Sequence, residues 1–517
     1  MADSPEAATS EQNSGVRQSS LDLPAAAEFK GKSIRGGAAS VLGQGVSMGL
    51  QIGTTFILAR LLSPTDYGLQ AMVVTWTGFF SLFKDAGLSV ATVQRETLNH
   101  EQISTLFWIN VGLGGFLMVV VAATGPFIAA FYKDPRLLWI TVASATMFLF
   151  NSLGVQHRAL MDRSMRFTTS VKIEIFSGVS GAAIAIGMAA LGFGYWSLIC
   201  QNISLPIIGT VAVWIVMPWR PGKPRWTADL RSMVRFGGTV TLNSFIVFLA
   251  YNTEKILLGR FWGASALGLY SRAYQLANLP VQQLTQSIGG VAFPMLSRMQ
   301  GDPARLRRSF LRALSLVVSL AIPLVFSCVL FADEIIRILL GPKWEGTAPI
   351  LRLLAPTVLV FALVNPFSWF LRATGRVGRS LKIALLITPV VIVAVVAGLR
   401  HGPPGVAFGY SAAMILLFVP LVAWSAHGTG ITGRDYWESI RPPLVAGVAG
   451  MAAGWLFKFS FQSALAPLPT FVLGLTLSCV LYVCLLLFVM GQKRVYMDLF
   501  SHLFQRTPAG SLEEGQN

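Results

Sequence analysis

The chain has 517 residues, of which 54% are hydrophobic and only 12% charged, with a mean hydropathy of +0.62. So few charges cannot coat a water-soluble globule of this size, which leaves a polytopic membrane protein. The formal charge of +17 at pH 7 must therefore sit in loops and helix ends, and such short clusters argue against a nucleic-acid partner.

Residues 1–36 read as a polar N-terminal tail with no short apolar core of the kind a cleaved signal peptide carries. Apolar runs of about 20 residues then predict fourteen membrane helices. Their spans are 37–61, 69–93, 103–131, 137–159, 170–190, 195–217, 237–261, 267–293, 310–332, 347–371, 380–399, 404–426, 441–460 and 467–490. The first of these carries Gly45, Gly49 and Gly53 on one face, a spacing that suits close helix packing. Trp76, Phe79, Phe80 and Phe83 follow along the second; such rings either pack or offer a stacking surface for sugars.

An internal repeat organises these helices. Residues 35–69 align without a gap on 235–269, matching Arg35 with Arg235, Gly37 with Gly237, Leu42 with Leu242 and Leu58 with Leu258. Arg60 with Arg260, Gly68 with Gly268 and Leu69 with Leu269 complete the register. The first helix thus pairs with the seventh, and the predicted fold is all-α, with two six-helix bundles, 37–217 and 236–427, joined by a basic linker at 218–235. Two further helices lie within 428–490 and a tail occupies 491–517. Related halves in one membrane chain suggest alternating access around a site at the repeat interface.

With both termini cytoplasmic, roughly three times as many Lys and Arg fall inside as outside, which is the orientation the positive-inside rule favours. The inner clusters are Arg158, Arg163, Arg166 and Lys172; Arg220, Lys223, Arg225, Arg231 and Arg235; Arg298, Arg305, Arg307, Arg308 and Arg312; and Arg372, Arg376, Arg379 and Lys382. They set topology and meet anionic headgroups. Arg163, Arg166, Arg235 and Arg376 are also candidates for recruiting a diphosphate headgroup from the inner leaflet.

Charges inside the spans are fewer and costlier. Lys84 and Asp85 fall in helix 2, Glu254 and Lys255 in helix 7, and Arg272 near the start of helix 8. Facing lipid at mid-depth each would cost about 2.5–3.5 kcal/mol, so each should face a partner or a wet cavity. At 1.5 Å per residue, Glu254, Lys255 and Arg272 lie roughly 8–12 Å below the outer ends and Lys84 and Asp85 roughly 22 Å. Glu254 and Arg272 are thus expected to pair. An ion pair joining helices and a substrate or proton role both remain open for the five.

Other patterns carry little. Cys200, Cys328, Cys479 and Cys484 lack metal-ligand spacing, and no metal or cofactor is expected. Gly31-Lys32-Ser33 lacks the upstream glycine of a phosphate loop. No catalytic constellation stands out.

Longer motifs carry a resemblance. LLSPTDYGL at 61–69, DAGLSVATVQR at 85–95, MRF at 165–167, GYWSL at 194–198, TEKILLGRFWGASALGLYSRAYQL at 253–276, AFPMLSR at 292–298 and GPKW at 341–344 resemble the Wzx-type polysaccharide flippases of the multidrug/oligosaccharidyl-lipid/polysaccharide superfamily, in the branch of the colanic acid exporter. The likeness covers about 35–490, and position 254 departs from it, since Asp is usual there. It implies transfer of undecaprenyl-diphosphate-linked oligosaccharide across the bacterial inner membrane, for exopolysaccharide, capsule or lipopolysaccharide synthesis, beside a polymerase and export machinery. Lys84, Lys255 and Arg272 would line a positively biased route, and helices 13 and 14 would flank the polyprenyl tail. A drug or cation exporter of the same superfamily and a membrane polymerase or ligase are the competing readings.

Overall fold

A computed structural model describes residues 26–83, 99–224, 248, 252–461, 464 and 466–493, and every regular element among them is helical. The chain is an all-α polytopic membrane protein, with nine stretches among the described residues long and apolar enough to cross a bilayer.

The elements follow in chain order as α1 (Ala26–Leu61), α2 (Pro64–Ser81), α3 (His100–Ala123), α4 (Gly125–Tyr132), α5 (Arg136–Arg163), α6 (Phe167–Ala190) and α7 (Trp196–Val216). After them come α8 (Thr253–Arg298), α9 (Pro303–Leu330), α10 (Ala332–Leu339), α11 (Thr347–Val364), α12 (Phe367–Ala373), α13 (Val377–Gly398), α14 (Gly402–Ala426), α15 (Gly433–Phe461) and α16 (Pro467–Cys484).

Local chemistry sets most boundaries. Between α1 and α2 the chain turns at Leu62-Ser63, where Ser63 caps α2 by accepting from the Asp66 backbone N–H at 3.3 Å. Asp66 reciprocates by accepting from the Ser63 N–H at 2.9 Å, and Pro64 occupies a first-turn position that needs no donor. Asn99 and Gln102 make a second capping box on α3, and Asp302 caps α9. Two predicted helices are each broken in two. The run at 103–131 stops at Thr124 ahead of Gly125-Pro126, and the run at 347–371 stops ahead of Pro366, because proline cannot donate to the preceding turn. Conversely α8 runs through the boundary between predicted helices 7 and 8, interrupted at Gly263, whose φ of 78° is open to glycine. The two helices thus fall on either side of that residue.

The chain divides into two compact units. The first holds the chain to Arg272, with Leu339–Gly346 and Ala384–Gly409. In it α3, α5 and α7 pack in sequence and α6 bridges α7 and α1. Since lipid is as apolar as the helix faces, association there rests on packing and hydrogen bonds rather than water exclusion. Thr210 Oγ1 donates to Phe150 O at 2.8 Å and Trp214 Nε1 to Leu153 O at 2.8 Å, tying α7 to α5. On the connection before α5, Arg136 hydrogen-bonds Asp134 and holds its carboxyl below the ordinary carboxylate range.

The second unit comprises Ala273–Ile338, Thr347–Ile383 and the chain from Tyr410. Here α9 packs on α11 and α15, and α15 on α16. Tyr482 of α16 donates to Ser319 O at 2.8 Å, Tyr436 of α15 to Leu363 O at 3.1 Å, and Thr357 of α11 meets Ser411 of α14 at 2.7 Å.

Candidate functional site

The repeat found in the sequence becomes a reciprocal contact in the first unit. A Cβ added to Gly68 would lie 1.7 Å from Ala264 O, and one added to Gly268 would lie 1.9 Å from Pro64 O. Positions 64 and 264 correspond in the repeat register, as do 68 and 268, so the two starts of related helices cross backbone to backbone about a local two-fold. Only glycine permits that approach. Two aromatic side chains flank the crossing. Trp344 donates from Nε1 to Ala59 O at 2.8 Å and meets the Tyr67 ring edge-on at 5.2 Å. Tyr132 lies against the corresponding Gly259, where an added Cβ would come within 2.7 Å of its ring. Trp344 is completely buried.

Arg272 sits on this junction. Its guanidinium lies 4.0 Å from the centre of the Tyr67 ring, a cation–π contact that holds the charge in place without cancelling it. The expected pairing with Glu254 is not formed. Glu254 is 1% exposed and its Oε1 has no hydrogen-bond partner among the described residues, while Lys255 Nζ donates to Asn252 Oδ1 at 3.0 Å. The reason is one of position: the break at Gly263 ends the helix that carries Glu254, and the turn at Ser63 delivers Tyr67 to Arg272 instead. Lys84, Asp85 and Arg235 lie outside the described residues, as does the motif at 85–95.

The cytoplasmic candidates separate by environment. Arg163 is 6% exposed, so it is buried in the bundle rather than presented to a headgroup. Arg166 is exposed at the start of α6. Arg376, in the second unit, is exposed but donates to Gly428 O at 2.5 Å. Arg307 reaches Gly430 O at 3.2 Å and Asp435 at 2.5 Å, so these arginines fasten the turn after α14.

Sequence reasoning missed a cavity in the first unit. It has a volume of about 410 Å³ between α5, α6 and α7, and Asn151, Arg158, Asp162, Glu174 and Ser177 give it polar walls. Ser177 Oγ is buried there with no hydrogen-bond partner among the described residues. Arg158 and Asp162 are exposed along its wall, and their spacing on one helix face is the sequence signal that points to it. No described atom lies within 4 Å of where a Cβ would stand at Gly45, Gly49 or Gly53, whereas Gly43 packs against Val171. The rings on α2 pack against neighbours: Trp76 Nε1 donates to Tyr132 Oη at 3.3 Å, and Phe79 contacts Phe80 at 5.0 Å.

A bundle of this topology has known counterparts. A lipid II flippase, MurJ, in its inward closed conformation superposes with a TM-score of 0.70 at 14% identity, over 89% of this chain and 99% of that one. An inward-facing multidrug resistance MATE family transporter of the MOP superfamily gives 0.60 at 12% identity, over 75% of this chain and 98% of that one. At such identities the likeness is one of fold, and it defines the class: a multi-pass helical membrane protein with the fold of MOP superfamily transporters. The chain belongs to the family described as polysaccharide biosynthesis protein, whose model matches residues 57–349. It is 32% identical over 333 residues to the teichuronic acid biosynthesis protein TuaB of Bacillus subtilis, covering 63% of this chain and 68% of that protein. The lipopolysaccharide biosynthesis protein WzxC of Escherichia coli is 27% identical, over 74% of this chain and 79% of its own length. The succinoglycan biosynthesis transport protein ExoT of Rhizobium meliloti is 25% identical, over 65% and 68%.

Proposed function

We propose that the protein is a lipid-linked oligosaccharide flippase, a transporter that moves the repeat unit of a surface or secreted polysaccharide across the membrane on its lipid carrier. The observation that carries this reading is the family membership of residues 57–349 together with a fold shared with a lipid II flippase. A sugar-diphosphate headgroup cannot cross hydrocarbon unaided, so its carrier must offer a polar, positively biased passage while the tail remains in the bilayer. Arg272, held over the Tyr67 ring, and Lys255 suit that passage, and Lys84 is assigned to it from sequence alone. Undecaprenyl diphosphate is the carrier proposed, the bacterial inner membrane the location, and a polymerase with its export machinery the downstream partner.

Fourteen spans in a plan of six, six and two, with both termini cytoplasmic, complete the proposal. In that orientation the Gly68–Gly268 crossing lies at the outer ends of the helices, and its close approach shuts the passage on that side. Alternating access then requires the crossing to part. The decisive experiment is deletion of the gene with assay of the carrier. One polysaccharide should be lost and its lipid-linked unit should accumulate out of reach of an external probe. Intact polysaccharide with new sensitivity to cationic dyes would instead favour a drug exporter.

A further inference from the structure

The second unit carries a groove of about 470 Å³ that the transported substrate does not account for. Val329 and Leu330 of α9 and Val448, Met451, Ala452 and Trp455 of α15 form its apolar walls, and Arg352 of α11 and Lys458 of α15 stand among its lining residues. Such walls select hydrocarbon over water, which needs two or more polar partners to be held. Trp455 and Phe459 stack 5.6 Å apart at its edge and are 55% and 66% exposed, the position of an aromatic belt at headgroup depth.

The charges at this end already have one task. Arg352 Nε donates to Val329 O at 3.3 Å and Lys458 Nζ to Leu330 O at 2.9 Å, satisfying carbonyls that the end of α9 leaves open. Each cation is also matched by an acid, Arg352 by Asp333 and Lys458 by Glu334 at 2.8 Å. Capping accounts for the cations but not for the apolar groove beside them. The Lys458–Glu334 pair is largely enclosed, whereas the side chains of Arg352 and Asp333 are 37% and 58% exposed. A guanidinium has five N–H donors, so Arg352 can serve a further anion while its partner carboxylate, with lone pairs to spare, serves a cation.

We propose that this groove binds one membrane phospholipid with an amine headgroup, its acyl chain between α9 and α15, its phosphate on Arg352 and its ammonium on Asp333. Charge selects the headgroup. Lys458 also stands 4.0 Å from Asp333, so the two cations and two acids already balance; a phosphate without an amine would leave its charge unmatched there, and a diphosphate-linked carrier would leave more. In the proposed orientation the ligand comes from the outer leaflet, and it would fasten α15 to α9 and α11.

Native mass spectrometry of the full-length protein, delipidated and then offered phosphatidylethanolamine or phosphatidylglycerol, tests the assignment. The wild type should retain one phosphatidylethanolamine in preference to phosphatidylglycerol. Arg352→Gln should lower that occupancy about tenfold, the equivalent of one charge-assisted hydrogen bond. Asp333→Asn should erase the preference between the two lipids. Ala452→Trp fills the groove from an exposed position on α15 and should abolish retention even if the charge variants fold poorly. Equal retention of both lipids by the wild type, retention unchanged in Ala452→Trp, or displacement of the lipid by an equal concentration of polyprenyl diphosphate would each overturn the proposal.

Discussion

Arg272 and Tyr67 lie far apart in the chain, yet the ring stands 4.0 Å from the guanidinium and no carboxylate is needed to keep the cation in place. A cation–π contact of this kind contributes about 0.5–2 kcal/mol. Replacing Tyr67 with Leu should therefore slow transport roughly twofold to thirtyfold without loss of membrane insertion, and Tyr67→Phe should retain most activity. Arg272→Gln should impair export more severely than Tyr67→Leu, because it removes the charge itself. Glu254→Gln combined with Arg272→Gln should show additive losses, as expected of two residues that do not touch. Transport assays on carrier lipid in inverted vesicles measure all four. A strongly sub-additive double variant would put Glu254 and Arg272 back into one pair.

At the scale of helices, the crossing of α2 with α8 is the tightest approach in the first unit. Gly68→Ala and Gly268→Ala each place a methyl group where a backbone carbonyl already lies, 1.7 and 1.9 Å away, so the helices must separate. Both variants should hold the outer ends apart. Cysteines at neighbouring outer positions should cross-link less and react faster with an impermeant maleimide. Unchanged cross-linking would mean that the crossing does not control access. Trp344→Phe removes the hydrogen bond to Ala59 O and leaves a cavity where part of the buried indole stood, and should lower stability by about 2–3 kcal/mol. In the second unit, Lys458→Met leaves Glu334 enclosed without its cation and should destabilise by about 3–5 kcal/mol, with the double change to Met and Gln recovering much of the loss. Thermal unfolding of the detergent-purified variants measures both.

For the whole molecule, the distribution of Lys and Arg predicts the orientation. Cysteine labelling should place the loops near Arg163, Arg231, Arg307 and Arg376 on the cytoplasmic side together with both termini. Any two of those loops found outside would overturn the fourteen-span plan. The buried state of Arg163 and the carbonyl contact of Arg376 bear on headgroup recruitment, not on this test, since positive charge biases insertion before the bundle packs.

The sequence by itself determined the class and the helical character, and it holds local signals that act on where helices begin and break. Those depend on properties that act locally: apolar length against bilayer thickness, capping by Ser63 and Asp302, and the breaks at Pro126 and Pro366. It also held the repeat, whose glycine and arginine pairs kept their register over the insertion between the two copies. Tertiary structure alone decided what those residues meet. Gly68 and Gly268 read as punctuation until the helices cross. Gly45, Gly49 and Gly53 look like a packing stripe, yet no described atom lies within 4 Å of where their Cβ atoms would stand, because a motif specifies a small surface without specifying which neighbour arrives. Likewise a charge within a span announces that it needs company, but a ring, a carboxylate and a cavity all satisfy it. Tyr67 rather than Glu254 answers Arg272 because the turn at Ser63 and the break at Gly263 aim the chain that way. That choice is made by the geometry of segments remote in sequence.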